Sequence, residues 1–255
     1  MNHRLASLSV LVVVSALFAA CSSSNTGTSS SSSSGDVDGG GDAEVPVGTQ
    51  CSAARKAALP PIDKVSGGAV TVLGEAGGAK KIYIDASAGG FQGASKNPRI
   101  YLNLERAERV DVTDSAALES TDWDLALKRV TLFTNSGDGG PGVGGAVAVV
   151  KDFASVTAAD AAKIGPEKFF DENCELQKEQ LGGPFTTFSN PPPYGWYDYD
   201  MATMVPSPRP GVTYLVKGGT GKLYKLAIRS YDALPDGGTR NNMSTGFFIL
   251  EVAPL

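Results

Sequence analysis

From residue 49 onward the chain is a succession of short β-rich runs separated by glycine clusters, a spacing that predicts strands rather than helices. Lys81–Asp85, Arg99–Leu104 and Arg109–Thr113 alternate apolar and polar residues with period two. In Trp123–Thr134 the alternation changes parity: Trp123, Leu125 and Leu127 share one face, Val130 and Leu132 the other. The change at Lys128 and Arg129 predicts a bulge or a switch between two pairings. Gly145–Val150 is a continuous apolar run, the pattern of a buried strand. Val212–Lys217 and Lys222–Ile228 flank the glycine-rich Gly218–Gly221 and predict a hairpin, and Thr245–Val252 reads as a closing strand. Helical signal is confined to Thr157–Asp160, a capping-box-like start to one short helix ending near Gly165. The expected class is therefore all-β, mostly antiparallel, with at most one or two short helices.

The first 48 residues have a different character. Arg4 precedes an apolar run from Leu5 to Ala20, about 16 residues, too short for a membrane span of ~20 and suited to a signal peptide over residues 1–20. The run ends Leu17-Phe18-Ala19-Ala20 before Cys21, which resembles a bacterial lipoprotein cleavage box and makes Cys21 the expected lipidation site. Residues 22–47 hold nine Ser, five Gly and four acidic residues, with almost nothing to bury. Such a stretch cannot offset its ordering entropy, so 21–48 is read as a lipidated cysteine and a disordered linker, spanning about 28 Å r.m.s.. Ser22 in place of Asp favours the outer membrane by resemblance to lipoprotein sorting. The globular domain is expected over 49–255, attached to the membrane through the lipid alone.

Charge and histidine content narrow the function classes. The formal charge is −5, so there is no basic surplus to neutralise phosphates, and nucleic acid is not expected as a partner. The one histidine is His3, inside the predicted leader. A mature chain without imidazole has no Ser–His–Asp or Cys–His catalysis and no HExxH zinc site. Once Cys21 is lipidated, Cys51 and Cys174 remain, an even number in an oxidising exported setting, and they are expected to form a disulfide. They lack the CxxC spacing of a zinc or redox site.

Other motifs point to structure more than to chemistry. The glycine-dense Asn135–Gly145 lacks the GxxxxGK[ST] pattern of a phosphate cradle and reads as a β-connection. Asp122 with Asp124, and Asp198 with Asp200, are carboxylate pairs at i, i+2 that share a strand face, as a glycosidase would need; capping of backbone amides is the commoner use. Asp36, Asp38 and Asp42 lie in the linker without the closing Glu of a calcium loop. No enzyme activity is expected.

Gly195–Met204 is the densest chemical signal, with Trp196, Tyr197, Tyr199, Met201 and Met204 within ten residues. One reading is a core strand with methionine as filler. The other is an aromatic pocket for a flat ligand, in which a thioether, a soft neutral donor, ligates haem iron.

Three segments together resemble the HmuY-like haem-binding lipoprotein family: Ser120–Gly137 running into Gly144–Val147, Gly195-Trp196 with its aromatic continuation, and Tyr214–Tyr231. The resemblance covers roughly residues 80–255. It implies a β-rich domain gripping haem between loops, with no catalysis and haem as the one cofactor. In the founding member two histidines ligate the iron, one of them five residues after the tryptophan of the GW motif. The same count from Trp196 reaches Met201, and a small gap would place Met204 there instead. Trp196, Tyr197 and Tyr199 would line the pocket. The second ligand would fall near Phe169–Glu175, where neither His nor Met occurs. That leaves five-coordinate haem, Met201 and Met204 sharing the role, or no haem. The expected function is a surface-anchored binder of haem or a similar porphyrin, on the outer membrane and on its cell-surface side, with an outer-membrane receptor as a further partner. The alternative is a β-sandwich-like interaction module that kept the family fold and lost haem.

Overall fold

The period-two runs pair as antiparallel strands in a computed structural model that describes residues 51–189, 191–240 and 245–255. The expectations for the leader, for Cys21 and for the linker up to residue 48 lie outside the described residues. Within them are β1 (Val70–Ala76), β2 (Ala79–Asp85), β3 (Ile100–Asn103), β4 (Glu108–Val110), β5 (Leu125–Lys128), β6 (Thr131–Thr134), β7 (Gly145–Val150), β8 (Tyr197–Asp200), β9 (Val205–Pro208), β10 (Val212–Lys217), β11 (Leu223–Ser230) and β12 (Phe247–Pro254). Two short helices, α1 (Ser52–Ala58) and α2 (Gly90–Gly93), join them. The all-β, antiparallel class read from the sequence is the class observed.

Strands β1-β2-β12-β11-β10-β7 form a six-stranded sheet, β4-β3-β5-β6 a four-stranded one, and β8-β9 a separate hairpin. Side-chain alternation builds the core between the two large sheets. Ile82, Ile84, Leu226, Phe248 and Leu250 from the larger sheet share one cluster with Ile100, Leu102, Leu125, Leu127 and Leu132 from the smaller. The other face of the smaller sheet buries Tyr101, Ala126 and Phe133 against Trp123, Phe169 and Phe170, with Ala54 and Ala58 of α1 at the margin. Both faces of the sheet at β3 and β5 are thus covered, so three successive residues are buried in each and the alternation expected in Arg99–Leu104 is not one of burial.

The hairpin expected around Gly218–Gly221 is β10–β11, with Lys217 opposite Leu223. The capping box at Thr157 is present, with Asp160 reaching back to the Thr157 backbone N–H, but the helix it starts is a 3₁₀ helix over Ala158–Lys163. Three expectations are corrected. The parity change at Lys128 and Arg129 is neither a bulge nor a change of partner: Lys128 pairs with Thr131 across a two-residue turn, so Leu127 and Leu132 are cross-strand neighbours facing one core. Arg129 sits there at φ +50, a conformation usually given to glycine, and this hid the turn. Trp123 is not on the Leu125/Leu127 face but in the second cluster, donating its indole N–H to Ala117 O at 2.9 Å. Gly145–Val150 is an edge strand of the larger sheet, paired only to β10 apart from a bridge to Gly165, with Val150 exposed.

The glycine-dense connection between β6 and β7 is packed against the core end of both sheets. Asn135, fully buried, donates to Ser120 O and Trp123 O and accepts from Gly142 N, each at 2.9 Å. A Cβ at Gly140 would meet the Asn135 carboxamide and the Trp123 ring, so this position excludes any side chain.

Candidate functional site

The Tyr-Asp-Tyr-Asp alternation of β8 leaves Tyr197 and Tyr199 half-buried and turns Asp198 and Asp200 to solvent. Its partner β9, Val-Pro-Ser-Pro, can donate few ladder bonds, which confines it to an isolated hairpin rather than a large sheet. Asp200 opposite Val205 closes a four-residue loop, Met201–Met204. Met204 N–H donates to Asp200 O at 2.7 Å, an i to i+4 turn. The Asp200 carboxylate accepts from Ala202 N–H and the Thr203 hydroxyl, both at 2.8 Å. Those bonds, the Ala202 amide first, hold the Asp200 carboxyl below the usual carboxylate range. Met204 sits at φ +55. Met201 is 74% exposed and Met204 65%, so neither is core filler.

Beside β8 lies a cleft of about 470 Å³, within the size range of small-ligand sites. Tyr197 and Tyr199 border it on one side; Lys178, Glu179 and Phe185, from a connection folded back on itself, border it on the other. Tyr197 Oη donates to Glu179 Oε2 at 2.5 Å. Burial first, then the Glu179 carboxylate, push the Tyr197 phenol far above its usual range, so it stays protonated. Arg209 fixes the strand: Nη1 donates to Gly195 O at 2.6 Å, and Nη2 to Tyr197 O at 2.7 Å and Asp198 Oδ1 at 2.6 Å.

Trp196 does not line the cleft, contrary to the reading of the aromatic run as one pocket. It is 2% exposed and packs on Tyr231 and Phe248, with ring centroids at 5.0 and 5.5 Å, and it donates its indole N–H to Val130 O at 3.1 Å. It fastens the start of β8 to the core. Met201 and Met204 are at the tip of the hairpin and do not line the cleft either.

The segment where a second iron ligand was sought is anchored at Phe169, Phe170 and Cys174, with Glu172, Asn173 and Glu175 exposed. Phe169 and Phe170 are buried, their N–H groups donate to Asp138 Oδ2, and Cys174 is bonded to Cys51 as expected, with Cα atoms 5.3 Å apart. Three of the four carboxylates in the expected pairs are structural. Asp124, buried, accepts from Leu104 N–H and Gly219 N–H at 2.7 and 2.9 Å; Asp198 is held by Arg209, and Asp200 caps the methionine turn. Among the described residues no group of three or more His, Cys, Asp or Glu gathers as a cation site. Glu179 and Arg209 escaped the sequence reading, since each stands alone, 18 and 12 residues from Tyr197. The one available signal was the proline-flanked setting of Arg209 after β9.

A family model described as HmuY protein matches residues 95–247, more than half of the chain. The chain belongs to the HmuY family. HmuY-family proteins are binding proteins, and the family is a haem-binding one. Three solved structures are similar to this HmuY-family chain. A candidate lipoprotein from Bacteroides fragilis is 16% identical, covering 72% of this chain and 94% of its own, with a TM-score of 0.42. A candidate HmuY-like haem-binding protein from Bacteroides vulgatus is 18% identical, covering 70% and 93%, at 0.39. The apo HmuY analogue of Tannerella forsythia is 16% identical, covering 76% and 100%, at 0.42. Among curated proteins nothing matches the chain.

Proposed function

We propose that this chain is a lipid-anchored, cell-surface binder of haem or a similar porphyrin, with Met201 or Met204 as iron ligand and Tyr197 and Tyr199 beside the macrocycle. The observation that carries this reading is the exposure of two thioethers on one capped turn, next to a cleft walled by two tyrosines. Two further points support it. Met204 keeps a left-handed backbone where glycine or asparagine would be less strained, and such strain persists where a side chain has a task. Also, the family to which the chain belongs is a haem-binding one. Haem iron would supply a soft acceptor for sulfur, ferrous more than ferric.

Titration with haem, oxidised and then reduced with dithionite, tests the reading. The Soret band should shift at micromolar haem, most strongly in the reduced state. Met201→Ala and Met204→Ala change exposed positions and should alter stability by no more than about 0.5 kcal/mol, while the ligating one loses the thioether spectrum. No spectral change in either state would overturn the proposal.

A second expectation concerns pH. An imidazole-ligated site weakens as the ring takes up a proton near ~6.5; this site has none to protonate. The Asp200 cap has a depressed folded pKa, so its contribution is complete above the free value of ~3.9 and declines only as pH falls through the lowered one. Haem affinity measured by the same titration should therefore be flat from about pH 6 to 8, where an imidazole-ligated site changes; a tenfold loss at the acid end would contradict Met ligation.

The second reading, an interaction module that lost haem, is favoured by the lack of any His or Met in Phe169–Glu175. It predicts that both methionine variants leave every haem readout unchanged.

A further inference from the structure

We propose a second binding site, distinct from the methionine turn, for an uncharged and largely apolar molecule carrying one hydrogen-bond acceptor. It lies at the end of the sheets where the β1–β2 turn, the chain after β3, the start of β11 and the end of β12 converge. The cleft there holds about 580 Å³, within the range of small-molecule sites. It shares no lining residue with the cleft beside β8. Leu104, just after β3, and Leu223, Tyr224 and Val252 from the larger sheet provide an apolar floor.

Tyr224 carries the inference. It is 4% exposed, yet its hydroxyl has no hydrogen-bond partner among the described residues. Every sealed side-chain nitrogen or oxygen among those residues does have one. An unbonded hydroxyl on so buried a ring is therefore one that reaches the cleft. A hydroxyl that opens on the cleft is met by solvent when the cleft holds no ligand, and a ligand acceptor would take over that bond. Burial, with the Asp124 and Glu105 carboxylates adding to it, pushes the phenol up to about 12, so at neutral pH it is a donor.

The rim argues for a neutral occupant. Lys80 and Lys222 face Glu75 and Glu105, two charges of each sign. The lysines are also engaged, Lys222 Nζ with Glu105 Oε1 at 2.5 Å and Lys80 Nζ with Glu105 O at 2.9 Å. The rim side chains therefore carry no net charge to draw an ion. What remains is an apolar surface and one fixed donor, which sets orientation rather than attraction.

Prodan, a neutral naphthyl ketone with polarity-sensitive emission, is a suitable probe on the intact domain. Wild type should bind it saturably with blue-shifted emission, and excess haem should leave it bound. Tyr224→Phe removes a hydroxyl with no internal partner, so folding stability should be unchanged while prodan binds about fivefold more weakly, the effect of one hydrogen bond. Leu223→Trp, at a half-buried lining position, should fill the cleft and abolish binding. The proposal is overturned if prodan does not saturate, if Tyr224→Phe binds as tightly as wild type, or if haem displaces the probe.

Discussion

Replacing Glu167 with alanine should destabilise the domain by about 3–5 kcal/mol, measured by urea unfolding. Glu167 is 1% exposed and accepts four bonds. Oε1 takes Thr134 N–H at 3.0 Å and the Thr134 hydroxyl at 3.3 Å; Oε2 takes the Thr187 N–H and hydroxyl at the same distances. The carboxylate thus joins β6 to the 3₁₀ turn Thr187–Ser189, whose Phe188 is fully buried in the main core. Alanine takes the acceptor from the buried Thr134 N–H, at roughly 1–3 kcal/mol, and removes the link to the half-buried Thr187, while the emptied side-chain volume adds to the loss and the hydroxyls can rotate. Glutamine keeps one acceptor oxygen and should lose about half as much. The deficit should depend on pH. Burial raises the Glu167 carboxyl above its usual range, against the pull of its four donors. A raised folded pKa gives a contribution fully present below the free value of ~4.3 and lost as pH rises through the folded one. The alanine deficit should accordingly be larger at about pH 5 than at about pH 8. A loss under about 1 kcal/mol at both would show that the carboxylate is not the joint described.

Removing the Cys51–Cys174 cross-link should cost about 2–5 kcal/mol. The two cysteines are 123 residues apart in sequence, and the loop-entropy estimate for a loop of ~100 residues is ~4.7 kcal/mol. Packing gives α1 little independent hold. It has no fully buried residue, and its main other attachment is Arg55, which donates to Asp138 O at 2.5 Å and Gly139 O at 2.8 Å. The Cys51→Ser/Cys174→Ser variant, or the wild type under reductant, should unfold at a lower urea midpoint and expose α1 to proteolysis before the sheets. An unchanged midpoint under full reduction would refute this.

The strands that the sequence reveals keep period two in their residue types: in β2 Ile82 and Ile84 enter the main core while Tyr83 enters a smaller one, and in β11 Tyr224, Leu226 and Ile228 alternate with Lys225 and Arg229. β1 was not legible because most of its residues are exposed, so no apolar stripe marks it. Helix α1 was missed for a related reason: Ser-Ala-Ala-Arg-Lys-Ala-Ala has helix propensity but no apolar face, and propensity alone is a weak signal. At the candidate site the sequence marked Gly195–Met204, and folding seals one of its pocket candidates, Trp196, in the core. Aromatic density shows where rings gather, but whether a ring is enclosed depends on partners such as Tyr231 and Phe248, distant in the chain. Glu179, Arg209 and Tyr224 had no motif to betray them, because their roles come from chain segments brought together only by folding.

The cross-link also decides how the molecule bears tension. A chain held at its N-terminal side and drawn from its C-terminus passes the load from Cys51 straight through sulfur to Cys174. Everything between, including β1 through β7, is mechanically bypassed and cannot be drawn out while that bond lasts. Only β8 to β12 lie in the loaded path, so an intact domain stretched to its limit would lengthen by that portion alone.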